Sequence, residues 1–172
     1  MSLFVTDVES DGQIIGRHSI VCFGVVKLTS ELNTKFYGQM KPISDQWIPD
    51  ALAVSGFSRE EHNTFPEPEY VMKTFADWLN KHSVGKPVLI SDNNGYDASW
   101  INYYFHVYYG SNPFGWSSRR IGDLFCGAEH DMFYKWKKHR ITTHTHNPVD
   151  DSCGNAEALL YLFKKHNIKY PK

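Results

Sequence analysis

From Ser19 to Leu28 the chain is almost unbroken in apolar side chains: Ile20, Val21, Cys22, Phe23, Val25, Val26 and Leu28. A strand with one wet face would alternate apolar and polar residues. A continuous run needs cover on both faces, so this segment predicts a central strand. Leu3 to Val8 is a shorter apolar run closed by Ser10-Asp11-Gly12, and it predicts another strand. A turn at Ser30 to Asn33 leads to a third strand near Lys35 to Met40. Short turns between the three make an antiparallel meander.

Short helices are expected between Pro49 and His62. Pro68 opens a longer one, whose buried stripe is Val71, Phe75, Trp78 and Leu79, spaced i, i+4, i+7 and i+8. Pro87 to Ser91 predicts a fourth strand, followed by a helix marked by Ala98, Ile101, Phe105 and Tyr108. Arg120 to Phe125 predicts a fifth strand. The last helix starts near Asp150 and buries Ala156, Leu159, Leu160 and Phe163. The order βββαβαβα predicts an α/β architecture, a mixed sheet with helices on both faces. A length of 172 residues fits one domain, 1–172.

Composition bounds what such a domain does. A net charge of −1 argues against bulk electrostatic coating of nucleic acid. It does not exclude a nuclease, because bound divalent cations add positive charge that a sequence count misses. Cys22, Cys126 and Cys153 are odd in number and lack ligand spacing, so neither a disulfide framework nor a zinc finger is expected. A reducing, cytoplasmic setting is the natural reading. No run approaches the ~20 apolar residues of a membrane span, and the first nine residues already hold two acids, unlike a signal peptide.

Three segments carry candidate chemistry. Asp7-Val8-Glu9 ends the first strand, and residues i and i+2 of a strand share a face. Two carboxylates so placed are either exposed strand-end acids or ligands of a hard cation such as magnesium or manganese. In Ser91-Asp92-Asn93-Asn94-Gly95-Tyr96-Asp97 a strand gives way to a turn, and Asp97 opens a helix. An N-cap role and a metal role are compatible there. The carboxyl edge of the strands is also where open α/β sheets place their sites. In His144-Thr145-His146-Asn147-Pro148-Val149-Asp150-Asp151 the acids fall in the first turn of the last helix, where they complement its dipole. Asp151 would then be a fixed ligand and His146 a mobile base on the preceding loop, or else a surface histidine beside capping acids. The run Lys135-Trp136-Lys137-Lys138-His139-Arg140 is either a solvated face or a contact for a phosphate backbone. Phe57 either stacks on a terminal base or packs its own loop. Asp123 is expected to cap or to hold backbone. His18, His62, His82, His106 and His130 show no ligand spacing.

Taken together, these segments resemble the DEDDh exonuclease superfamily. Asp7-x-Glu9 is similar to its first motif and Asn93-x-x-x-Asp97 to its second. His146-x-x-x-x-Asp151 is similar to its third, the five-residue step separating it from the Tyr variant. The similarity spans nearly the whole chain. Asp92 stands where a histidine is common, Tyr96 replaces the usual Phe, and Pro148 and Ser152 replace small residues. None of these is one of the five chemical positions. The segment Pro148-Val-Asp-Asp-Ser-Cys-Gly-Asn-Ala-Glu-Ala-Leu most resembles small stand-alone bacterial exoribonucleases of the RNase AS type.

The resemblance implies a ribonuclease-H-like fold and two divalent ions, Mg²⁺ or Mn²⁺, held by Asp7, Glu9, Asp97 and Asp151. It implies His146 as general base and nucleoside 5′-monophosphates as products. Ser10, Phe57, Asn93, Trp100, Lys138 and Arg140 are the expected substrate contacts. The expected partner is nucleic acid, RNA before DNA, without a membrane and with a homodimer as the default. The rival readings are an exonuclease for single-stranded DNA or short oligonucleotides, a phosphoesterase for a small nucleotide, and a non-catalytic nucleic-acid-binding module.

Overall fold

A computed structural model describes residues 1–170 of the chain. Its centre is a five-stranded sheet in the order β3-β2-β1-β4-β5. The strands are β1 (Ser2–Ser10), β2 (Ile20–Lys27), β3 (Lys35–Gln39), β4 (Pro87–Ser91) and β5 (Ser118–Arg120). The first three form the expected antiparallel meander, and β4 and β5 add in parallel beside β1. The helices are α1 (Pro49–Val54), α2 (Arg59–His62), α3 (Pro68–His82), α4 (Asn94–Tyr108), α5 (Ile121–Glu129) and α6 (Pro148–Lys165), with a 3₁₀ turn at Trp136–His139.

Alternation along β1 divides the interior in two. Phe4 and Val8 face a cluster with Phe23, Phe75, Leu89, Trp100, Tyr104 and Phe105, so α3 and α4 cover that side. Val5 faces Val26, Ile90, Phe125, Leu159 and Leu162, so α5 and α6 cover the other. Each large apolar side chain so buried contributes roughly 1.5–3 kcal/mol. The continuous apolar run of β2 is buried on both faces, as its composition requires. Among the described residues no helix is long and apolar enough to cross a membrane.

One expected element is corrected. Arg120 to Phe125 is not a strand: β5 stops at Arg120, and Ile121 begins a helix. Ile121, Leu124, Phe125 and Ala128 recur at i, i+3, i+4 and i+7, and all four lie in the core on α6's side or against it. A six-residue window is too short to separate that stripe from an alternating one. Asp123 is therefore a first-turn helix residue, exposed and paired with Arg120 at 2.8 Å.

Two further elements begin earlier than expected. α4 opens at Asn94 with Asn93 before it, so Asp97 lies within the first turn rather than at the cap. α6 opens at Pro148, whose missing N–H costs nothing at a helix start. Asn147 caps it, its Oδ1 accepting the N–H groups of Val149 and Asp150.

The first turn of α6 rests directly on β2 backbone. A Cβ at Gly24 would lie 2.2 Å from the carbonyl carbon of Pro148 and 2.3 Å from the nitrogen of Val149. Ser152 Oγ donates to the Gly24 carbonyl at 3.1 Å. Only glycine allows this approach, and Gly24 is the register partner of Asp7. Gly24→Ala is expected to push α6 outward and to destabilise the fold by about 1–3 kcal/mol, as overpacking does. Thermal denaturation checks this; an unchanged midpoint would show that the contact is loose.

Candidate active site

Three of the expected acids meet. Asp7 and Glu9 project from the same side of β1, and Asp151 comes from the first turn of α6. A carboxylate oxygen of each lies within 4.8 Å of the other two. Asp151 is 1% exposed. Asp97 is outside this triplet. It is 2% exposed in the first turn of α4, close enough to Asp7 for the two charges to oppose one another.

The geometry disfavours charge. Burial, then Glu9 and Asp151, pushes Asp7 up to about 8. Burial, then Asp151, pushes Glu9 up to about 7. Burial, then Asp7, raises Asp97 well above the carboxylate range. Moreover, Asp97 Oδ2 is buried with no hydrogen-bond partner. An orphaned buried acceptor costs roughly 1–3 kcal/mol unless something outside the chain satisfies it. Converging hard oxygen donors, mutual repulsion and one orphaned oxygen together fit a divalent cation.

The loop before α6 folds onto Asp151. The N–H of Thr145 donates to Oδ1 at 3.2 Å and that of His146 to Oδ2 at 3.1 Å. These bonds hold His146 in the left-handed region, φ 61°, which histidine tolerates better than most residues. Its ring is half exposed, with Nδ1 at 3.6 Å from Glu9 Oε1, too far for a hydrogen bond. His144, given no role above, contacts Asp151 Oδ1 through Nδ1 at 2.7 Å, and its ring lies 4.3 Å from that of His146. His144, His146 and Asp151 thus form a second possible ligand group that shares Asp151 with the first. The His-x-His spacing was its visible signal.

The expected substrate contacts divide. Phe57 is half-buried, edge-on to Phe65 at 4.9 Å. It also lines a cleft of about 190 Å³ with His146, Thr145, Asn147, Tyr37 and Cys22, so loop packing and base contact coexist. Asn93 is exposed beside Tyr96 and Arg120. Lys138 is exposed, its ammonium 4.6 Å from the Tyr134 ring centre.

Three of the contacts need correction. Trp100 is 0% exposed in the core, where no strand reaches it. The Ser10 hydroxyl is buried between the Gly12 carbonyl and Tyr96 Oη. That contact also gives a use to the tyrosine found in place of phenylalanine. Arg140 is turned inward: Nε donates to Asn155 Oδ1 at 2.9 Å and Nη2 to the Asp151 carbonyl at 3.3 Å. Gly154 admits this packing, since a Cβ there would lie 2.9 Å from the Thr142 carbonyl oxygen. Arg140 therefore fastens the segment before the loop to α6. Lys137, from the same basic run, reaches Asp92 Oδ2 at 2.6 Å.

No family model matches the chain. A 3′-5′ DNA exonuclease of Escherichia coli, Cap18, is 39% identical over 174 residues, covering 98% of this chain and 87% of that protein. The chain belongs to the DEDDh 3′-5′ exonuclease superfamily. Two solved structures share the fold at low identity. The nuclease domain of 3′hExo, a DEDDh family member bound to rAMP, superposes with a TM-score of 0.76 at 16% identity, covering 99% of this chain and 96% of that one. Escherichia coli Exonuclease I in complex with a dT13 oligonucleotide gives 0.73 at 18% identity, covering 96% of this chain and 41% of that one.

The charge balance of these acids makes a stability prediction. Asp7 ordinarily titrates near 3.8 and is raised in the fold to about 8. Below the lower value both states are protonated and the folded state is not penalised. Between the two the unfolded chain releases its proton first, so stability falls as pH rises through this window. Metal-free protein is expected to melt lower at pH 8.5 than at pH 5.5. Asp7→Asn is expected to melt several degrees above wild type at the higher pH, at about 2–4 °C per kcal/mol. Melting curves in chelator check it; a variant that melts lower at both pH values contradicts the repulsion described.

Proposed function

We propose that this chain removes nucleotides one at a time from the 3′ end of single-stranded nucleic acid, with DNA as its substrate. The observation that carries the reading is the meeting of Asp7, Glu9 and Asp151 within 4.8 Å. The 39% identical relative named as a DNA exonuclease supports the choice of substrate. An RNA substrate is the second reading, favoured by the RNase AS-like sequence of the last helix.

In this reading Asp7, Glu9, Asp97 and Asp151 hold two divalent cations, Mg²⁺ or Mn²⁺, and residues 1–172 work as one domain. Such ions polarise a phosphoryl oxygen, supply a nucleophilic water near neutral pH and steady the leaving oxygen. The protein's own contributions follow from the site. Asp7 and Glu9 are fixed by strand pairing and Asp151 by the α6 contact with Gly24. His146 stands at the rim with its ring half exposed, free to take the proton of the attacking water. The bonds from its own N–H and that of Thr145 to Asp151 keep it within reach. Phe57 and Tyr37 offer aromatic faces in the adjoining cleft to the 3′-terminal base.

His146→Ala is expected to lower turnover by about 10²–10⁴, the range of a lost general base, and to leave metal-linked stabilisation in place. Asp7→Ala is expected to abolish both. Matched single-stranded DNA and RNA oligomers with 5′ labels decide the substrate: a ladder shortening from the 3′ end on DNA first supports the proposal. Cleavage unaffected by Asp7→Ala removes it, and faster shortening of RNA replaces DNA with the second reading.

A further inference from the structure

The pair Lys137–Asp92 joins a carboxylate beside the acids of the site to the 3₁₀ turn. Asp92 follows β4, with its side chain 11% exposed, and its charge bears on both Asp7 and Asp97. Lys137 comes from the 3₁₀ turn that packs against α6 and is 62% exposed. The base of that turn is rigid. Trp136 is 5% exposed against Phe125, their ring centres 5.8 Å apart, and Arg140 is bonded to α6. From this anchored base a long flexible side chain crosses to a carboxylate beside the acids.

A bound strand brings phosphates, each with a negative charge, to the edge of an acidic site. Two neighbouring cations have other partners: Arg140 bonds Asn155 and the Asp151 carbonyl, and Lys138 lies over Tyr134. Lys137 is largely in water, paired with one carboxylate and 5.9 Å from the Trp136 ring centre. Exchanging one oxyanion for another would keep the ammonium paired.

We propose that Lys137 and Asp92 form a latched phosphate subsite. In the free protein Asp92 holds the ammonium. In the complex Lys137 leaves Asp92 for a backbone phosphate of the strand, 5′ of the bond to be cut. This rests on the nuclease reading above. Asp92 replaces the histidine common at this point of the second motif, so the latch is a property of this chain's own residues.

The test is equilibrium binding of a 5′-fluorescein single-stranded DNA 8-mer in magnesium buffer, read by anisotropy over a series of potassium chloride concentrations. It is done in the His146→Ala background so that the oligomer survives. Lys137→Gln is expected to weaken binding about tenfold, the worth of one charged hydrogen bond, and to reduce the salt slope by about one. Lys137→Arg should restore most of both. Asp92→Asn should tighten binding several-fold, and should do nothing when Lys137 is already Gln. If both single variants weaken binding alike with the salt slope unchanged, the pair merely ties two segments together and the subsite is overturned. If Asp92→Asn tightens binding equally without Lys137, simple charge removal explains it and the latch is likewise overturned. Wild-type protein that leaves the 8-mer full-length counts against the nuclease reading instead.

Discussion

The packing of α6 onto bare backbone at Gly24 decides where the acids go. Asp7 lies opposite Gly24 in the β1–β2 ladder. Pro148 and Val149 sit where a side chain at Gly24 would have been. Asp151, one turn along, is thereby lowered into the space beside Asp7 and Glu9. A Cβ at Gly24 would meet the helix backbone at 2.2 Å and push it outward, drawing Asp151 away from Asp7. Gly154 repeats the device one layer out, letting Arg140 and Thr142 close on the same helix. Two glycines thus set the distance between strand, helix and loop, and the catalytic candidates inherit it.

That arrangement runs against the stability of the metal-free fold. Three carboxylates are held together with little water, and a fourth, Asp97, has a buried oxygen with no partner. The surroundings offset only part of this. Arg140 lowers the Asp7 pKa, and two backbone N–H groups serve Asp151. A bound cation would supply the rest. Folded structure and ligand binding are therefore linked through the same groups, and the left-handed turn at His146 hangs on one of them.

Much of this was legible in the sequence because local rules sufficed. Period two placed Asp7 and Glu9 on one face, and the unbroken apolar run identified β2. Acids after Asn147-Pro148 marked the start of α6. What was not legible depended on long-range packing. No local signal distinguishes Trp100, fully buried, from an aromatic that stacks on a base. Lys137, Lys138 and Arg140 are alike in sequence, and the short 3₁₀ turn sends them to Asp92, to Tyr134 and to Asn155. Arg120 to Phe125 failed for another reason, since Ile121, Leu124 and Phe125 alone do not separate the two periods until Ala128 is counted. The Gly24–Pro148 approach joins the second strand to the last helix, and neither segment announces it.

Asp151 belongs to two overlapping groups, one with Asp7 and Glu9, the other with His144 and His146. Anomalous diffraction from a crystal soaked in manganese separates them most directly. The account predicts a peak touching Asp7, Glu9 and Asp151, with His146 left unligated at the rim. A peak held by His144, His146 and Asp151 with nothing against Asp7 would contradict it.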